Sequence, residues 1–407
     1  MIKKTLLLSL VFIWVGSATM AQETLQEQFG DDLEFPALPY FGYGSGLGIT
    51  APDSTFRLNL RFRIQNRATY TSDGNTDAVE AAVRRLRLRF DGFVGDPRFL
   101  YAIQLSFAPG DVGELSPGDN INIIRDAVFF YRPNRNWNFS FGQTKLPGNR
   151  QRINSSGALQ LTDRSINNAR FSIDRDFGIQ AYYLQEDVDR FSYNVKTAVS
   201  TGDGRNWTRN PSLDLAYTTK FELYPFGAFQ RDGTMFEGDL VREQTPKLML
   251  SGVYHFNKGA QRTRGQLGQE LAERRDLTSV LLDAMLKYRG WSVQTAYLTR
   301  RTHNPGVWGA DGSLLNIYAG TGMDFQLSHL FQNNFELIGR YSFQNINPET
   351  TIQIEKSEQY SVGITRYIWE HALKLQAEAT YNEEQTRILN EPERSSWYVR
   401  FQVEIGI

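Results

Sequence analysis

The feature that most limits what this chain can fold into is a one-by-one alternation of apolar and polar residues, sustained in segments from Phe56 to the last residue. Successive side chains of a β-strand point to opposite faces, so an alternating segment is a strand with one greasy side and one wet side. The C-terminus shows it best. Trp397, Val399, Phe401, Val403, Ile405 and Ile407 share one face, while Tyr398, Arg400, Gln402, Glu404 and Gly406 share the other.

About sixteen such segments can be read. They fall at 56–67, 83–94, 98–107, 122–132, 137–143, 177–185, 190–200, 212–224, 247–256, 277–289, 291–299, 316–328, 334–345, 358–368, 371–382 and 395–407. A soluble sandwich also alternates, but it rarely does so over this many long segments. The expected fold class is all-β: a transmembrane antiparallel β-barrel of about 16 strands in the outer membrane of a Gram-negative bacterium, apolar side chains against lipid.

Connection lengths fit that architecture, which pairs long outer loops with short periplasmic turns. Long stretches are expected at 68–82, 108–121, 144–176, 201–211, 257–276, 300–315, 346–357 and 383–394, and short turns at sites such as 95–97 and 289–290. The connection 225–246 breaks the rule, being long where a periplasmic turn belongs. Ring residues flank the short turns, Tyr131 with Trp137, Tyr288 with Trp291 and Tyr367 with Trp369. Amphipathic aromatics at matched depth are what a headgroup boundary selects, although Trp and Tyr are also good strand formers.

Composition narrows the function classes. A net charge of -1 and a mean hydropathy of -0.43 point to neither a nucleic-acid binder nor a helical membrane protein. Beyond the N-terminus no apolar run reaches the roughly 18 residues that a membrane helix needs. Cysteine is absent, which removes disulfides, thiolate metal sites and thiol nucleophiles.

Three regions are expected. Residues 1–21 read as a secretory signal, with Lys3 and Lys4 ahead of the apolar Leu6–Val15 stretch and Thr19-Met20-Ala21 as a cleavage site. Residues 22–53, first acidic and then rich in Gly and Tyr, show no strand period and read as a periplasmic extension. Its glycine run (Gly42, Gly44, Gly46, Gly48) lacks the flanking strand and helix of a dinucleotide loop. Residues 54–407 are the barrel.

The wet face of the first two strands is unusual. Segment 56–67 places Arg57, Arg61, Arg63 and Arg67 opposite Phe56, Leu58, Leu60, Phe62 and Ile64, and Arg85, Arg87 and Arg89 repeat the pattern on the next strand. An Arg facing lipid at the bilayer midplane costs roughly 2–4 kcal/mol, so these side chains are expected to line the lumen. Sequential hairpin strands are neighbours, which gathers all of them on one wall. A column of fixed positive charge favours small anions over cations, and guanidinium suits phosphate or carboxylate oxygens. The alternative is that acids such as Asp163, Asp174 and Asp176 face the column and leave only a transverse field in a non-selective pore.

Those acids lie in the 144–176 loop, with Lys145, Arg150, Arg152, Arg164, Arg170 and Arg175. A loop this long and charged is either displayed outside or folded inward to constrict the lumen. The second is preferred here, because an open barrel of this size discriminates little.

Several motifs together resemble the phosphate-selective porin O and P family. They are Arg84-Arg85-Leu86-Arg87-Leu88-Arg89-Phe90, Arg125-Asp126-Ala127 leading to Tyr131-Arg132-Pro133-Asn134, Phe141-Gly142-Gln143-Thr144-Lys145-Leu146-Pro147, and Asp163-Arg164-Ser165 with Arg175-Asp176-Phe177-Gly178. The resemblance implies a sixteen-stranded barrel, usually a homotrimer, with an arginine ladder and an infolded third loop as constriction. It would carry the ladder role to Arg57, Arg61, Arg63, Arg67, Arg85, Arg87 and Arg89 and the constriction role to 144–176.

Enzyme signatures are thin. His255, His303, His329 and His371 are scattered, and no metal pair, nucleophile elbow or phosphate loop is seen. Asp174 and Asp176 alone make a weak calcium site. The expectation is no catalysis, no metal and no cofactor, with small anionic solutes and outer-membrane lipid as partners and no nucleic acid. The rival readings are a general porin and a plugged structural or adhesion barrel.

Overall fold

The computed structural model describes residues 46–407 apart from 113–122, 207–212, 310–311, 351–353 and 388–392. The signal segment and most of the N-terminal extension therefore lie outside the described residues. A short strand β1 (Leu47–Thr50) precedes β2 (Phe56–Ser72), β3 (Asp77–Val94), β4 (Asp96–Ser106), β5 (Ile124–Tyr131), β6 (Trp137–Lys145), β7 (Arg175–Gln185) and β8 (Ser192–Ser200). Next come β9 (Ala216–Tyr224), β10 (Lys247–Arg262), β11 (Glu270–Tyr288) and β12 (Trp291–Arg301). A two-stranded ribbon of β13 (Gly306–Trp308) and β14 (Leu314–Asn316) follows. The series ends with β15 (Gly320–Leu330), β16 (Phe335–Ile346), β17 (Ile354–Trp369), β18 (Leu373–Thr386) and β19 (Arg394–Gly406).

Sixteen of these close on themselves as an antiparallel barrel: β2 to β12, then β15 to β19, with β19 paired back onto β2. Among the described residues no helix is long and apolar enough to cross a membrane. The faces are inverted relative to a soluble domain. Phe129, Ile179, Phe221, Val362 and Phe401 are exposed outside, while Gln65, Glu336, Lys374 and Glu404 are buried within. An apolar exterior of this extent is stable only against lipid.

Depth is set by aromatic side chains. Tyr341, Tyr360, Tyr381 and Trp397 are successive cross-strand partners, forming one row across β16 to β19. On β17 the next outward aromatic is Trp369, nine residues below Tyr360. At about 3.3 Å per residue and a tilt of about 40°, that separation spans about 23 Å of depth, the height of an outer-membrane apolar band. Tyr131 and Trp137 do face outward, but Tyr367 does not. It points into the lumen, as alternation from Tyr360 requires, and its hydroxyl donates to Glu336 Oε2 at 2.6 Å; the register slip between Tyr367 and Trp369 is what turns Trp369 outward.

Two expectations need correction. The outer connections are shorter than their polar sequence suggests: β2 and β3 continue to a hairpin at 73–76, and β10 and β11 extend to 262 and 270. Strands that rise beyond the bilayer lose the need for alternation, so their sequence ceases to announce them. The extension is also not wholly without strand. The β19 ladder meets β2 only from Arg63 upward, and β1 takes the remaining edge with Leu47 opposite Leu60 and Thr50 opposite Arg57. Backbone groups on an open edge need partners, and β1 supplies them.

Candidate functional site

The lumen is where charge collects. On β2 and β3, Arg61 faces Arg89, Arg63 faces Arg87, and Gln65 faces Arg85 as direct cross-strand partners. Guanidiniums this close repel unless carboxylates intervene, and they do. Asp91 accepts from Arg61 at 3.1 Å and Arg89 at 3.0 Å, and Glu404 of β19 lies 3.1 Å from Arg63 and 3.4 Å from Lys374. Arg57, at the periplasmic end, donates to Asn59.

Two β-bulges enrich this wall. Gln65 pairs with Arg85 and Asn66 with Val83, leaving Arg84 as an extra residue. Gln104 pairs with Asp126 and Leu105 with Ile124, leaving Arg125 as another. A bulge turns two consecutive side chains to the same side, so Arg84 and Arg125 join the lumen although strict alternation assigns them to lipid. Arg84 Nη2 lies 2.8 Å from Asp163 and Arg125 Nη1 3.2 Å from Asp111, the acid also held by Arg87.

The loop between β6 and β7 runs from 146 to 174 inside the barrel. Lys145 and Arg175 fall on its flanking strands, so both belong to the wall. Lys145 clamps the loop by donating to the carbonyls of Ile153 and Asn154, and Arg175 pairs with Asp126 at 2.9 Å and Asp174 at 3.6 Å. On the adjoining β17–β18 wall, just across β19 from β2, the loop is fixed by polar contacts. Lys374 donates to the carbonyls of Gly157 and Leu159, Gln376 to those of Leu159, Gln160 and Leu161, and Thr365 to that of Gln160. The short helix Ile166–Phe171 is capped by Ser165, whose hydroxyl accepts from Asn168 N and donates to Asp324. Arg300 caps its other end through the carbonyls of Arg170, Phe171 and Ser172.

Glycines clear space for this packing. A Cβ on Gly363 would lie 2.3 Å from Leu161, and one on Gly322 would lie 1.9 Å from Asn167. Leu146, Phe171 and Ile173 meet Val253, Leu281 and Leu298 in an apolar cluster within the lumen. The lumen beside β10 to β12 is thus filled by the loop.

The loop covers much of that wall too. Arg63 donates to Ser155, Arg87 to Ser156 and Gln65 to the Ser156 carbonyl. Consequently Arg61, Arg85, Arg87 and Arg89 keep 8% or less of their surface accessible. Accessible charge sits higher, on the outer side: Arg84 and Asp163 retain 23% and 22% of their side-chain surface and Arg152 17%. Arg164, half-buried, donates to the carbonyls of Gln151 and Asn154. Arg150 is buried against Gln294 and Glu237, and Arg170 is exposed with its guanidinium 4.5 Å from the Tyr318 ring.

Asp163 is the pivot. It receives Arg67 at 3.3 Å, Arg84 at 2.8 Å and Arg85 at 3.2 Å. Burial alone would raise its carboxyl, but the guanidiniums of Arg85, Arg84 and Arg67 outweigh that and hold it well below the usual range. Asp174 behaves alike: burial is overcome by Arg152 and Arg175. Asp176 instead serves the fold, accepting from Thr201 and the amides of Gly202 and Gly204.

The sequence did not single out Arg84, Asp91, Asp111 or Glu237 as site residues. For Arg84 and Arg125 a signal existed: adjacent charges, Arg84-Arg85 and Arg125-Asp126, cannot alternate between lipid and water, so such a pair marks a bulge. Among the described residues no cluster of three or more His, Asp or Glu is arranged to hold a metal ion.

The comparisons agree with this geometry. The family model described as phosphate-selective porin O and P matches residues 56–403. No curated protein matches the chain. Among solved structures, the outer membrane channel DcaP of Acinetobacter baumannii is similar with a TM-score of 0.54 at 14% identity, covering 88% of this chain and 99% of that one. The anion-selective porin from Comamonas acidovorans gives 0.53 at 10% identity over 86% of this chain and 100% of its own. OmpF of Salmonella typhi gives 0.54 at 11% identity over 89% and 100%.

Proposed function

The chain belongs to the phosphate-selective porin O and P family of outer-membrane porins, and from that premise we propose that it passes small hydrophilic solutes by passive diffusion with anions such as phosphate preferred. The observation that carries this reading is the sharing of carboxylates. Asp163 serves Arg67, Arg84 and Arg85, Asp111 serves Arg87 and Arg125, Asp91 serves Arg61 and Arg89, and Glu404 serves Arg63 and Lys374. Each acid leaves positive charge over, so the β2–β5 wall keeps a surplus that lowers the barrier for anions.

In this reading an anion is drawn from outside to the accessible guanidiniums of Arg84, Arg152 and Arg164 and slips past the loop along the partly covered ladder. Fork geometry suits tetrahedral oxyanions and carboxylates alike. Neither the chemistry of this wall nor diffusion down a gradient calls for a cofactor or a catalytic group. Assembly as a homotrimer is the expectation that family membership brings, and cross-linking of the detergent-solubilised protein tests it.

The test of the phosphate reading is a planar bilayer carrying a chloride current. Added inorganic phosphate is expected to reduce the current by occupying the guanidinium sites, and an unchanged chloride current would remove phosphate from the proposal. A second reading, a porin without ionic preference, is favoured by the interleaved carboxylates. It requires equal permeability of both ions in a salt gradient.

A further inference from the structure

The connection 225–246 joins β9 to β10 at the end of the barrel where the turns are short, and it is far longer than any turn there requires. Instead of hanging below the barrel it enters it. Lys287, on the lumen face of β11, donates to the carbonyls of Gly233 at 2.6 Å, Phe236 at 3.0 Å and Gly238 at 2.8 Å. Asp239 accepts from the amide of Gly290, and the Phe236 ring stacks on His371 at 4.6 Å. The approach is close enough that a Cβ on Gly238 would lie 2.9 Å from Glu336.

Inside, this segment meets the 146–174 loop. The Glu237 amide donates to the Ala158 carbonyl at 3.1 Å, its Oε2 accepts from the Gln160 amide at 2.9 Å, and its Oε1 accepts from Gln151 Nε2 at 3.0 Å. The Glu237 carbonyl accepts from Ser292 at 2.7 Å and Gln294 at 3.0 Å. One buried residue therefore ties the loop to the wall from beneath. Asn154 of the loop also donates to the Thr234 carbonyl at 3.2 Å.

A space remains beside this junction. A cavity of ≈ 60 Å³ is lined by Asn154 of the loop, Asp232 and Thr234 of the connection, and Lys196, Lys220 and Glu222 of the β8–β9 wall. We propose that 225–246 is the second half of the constriction, holding the 146–174 loop through Glu237 and walling the periplasmic side of the passage at Asp232–Thr234. Glu237 is accordingly a positioning residue. A loop pinned only from above could swing on its two strand ends; a loop also seated on this platform keeps a fixed aperture. The inference rests on the porin reading.

The absence of cysteine makes a direct test clean. Thr234→Cys, reconstituted as the full chain in planar bilayers, is treated with a negatively charged methanethiosulfonate, with the wild type as control. The wild-type current is expected to be unaffected and the Thr234→Cys current to fall by about twofold, since an added side chain at a passage wall narrows it. Complete labelling by mass spectrometry with unchanged conductance would overturn the proposal. In parallel, Glu237→Ala is expected to raise open-channel current noise, with Glu237→Gln, which retains an acceptor oxygen, closer to wild type. Folded Glu237→Ala with wild-type conductance and noise would overturn the positioning role. A wild-type protein that carries no current would count against the porin reading itself, a result distinguishable from both.

Discussion

Arg84 Nη2 lies 2.8 Å from Asp163 Oδ2, although strict alternation along β3 places Arg84 against lipid and Asp163 belongs to a different segment, the infolded loop. The bulge at Arg84 makes the meeting possible. It gives the loop a charged anchor on the arginine wall, next to its anchors on β16 to β18, so a local break in strand register helps fix where the loop sits.

Replacing that anchor separates charge from structure. Asp163→Asn keeps the size of the side chain but leaves Arg67, Arg84 and Arg85 without their shared carboxylate. The anion-to-cation permeability ratio, read from reversal potentials, is expected to rise by about twofold. A ratio that stays the same or falls would mean that this cluster does not face the permeating ions.

The covered rungs can be tested by reversal of sign. Arg61→Glu together with Arg87→Glu sets new carboxylates beside Asp91 and Asp111, the acids that Arg61 and Arg87 now hold. Selectivity is expected to move toward cations. An unaltered ratio in a variant that still migrates as a folded barrel would show that burial under the loop shields the ladder from the passage.

The seat of the loop depends on missing side chains. Gly363→Val puts a branched side chain where Leu161 now packs, with the first added carbon 2.3 Å from it. Overpacking of this kind costs about 1–3 kcal/mol, and displacement of the loop relieves it. Single-channel conductance is therefore expected to increase, and conductance equal to wild type would argue that the loop adjusts in place.

The pH dependence follows from Asp163. Burial pushes its carboxyl up, but Arg85, Arg84 and Arg67 push it further down, so its folded value lies well below the ordinary 3.8. The stabilisation from its ion pairs is complete above that ordinary value and is lost only as pH falls through the depressed one. The contribution of Asp163, read as the difference in permeability ratio between wild type and Asp163→Asn, is thus expected to stay level from pH 7 to about 4. A difference that shrinks within that window would show Asp163 taking up a proton near its ordinary value.

What could be read from the residues follows from the solvent on each face. Between the aromatic rows the outside must be apolar and the inside is wet, so strands such as β17 and β19 announce themselves by alternation. Above the bilayer that pressure ends, and the upper parts of β2, β3, β10 and β11 read as loop. The arginine column was legible because lipid forbids the other orientation. Its pairing with Asp91, Asp111 and Glu404 was not, since those partners are fixed by cross-strand register and by barrel closure. Length and charge marked the 144–176 loop as unusual, and its inward course follows from acceptors and donors on β16 to β18 that no local pattern reveals. The connection 225–246 stood out by length alone, and its purpose emerges only with Lys287 and Glu237 in place.

The central claim is that a surplus of guanidinium charge lines an open path through this barrel. Its most direct test is the zero-current potential of the purified wild-type protein in a planar bilayer separating unequal potassium chloride concentrations. The account predicts a potential of the sign that marks chloride as the more permeant ion. A potential of the opposite sign, or a bilayer that carries no current at all, would contradict it.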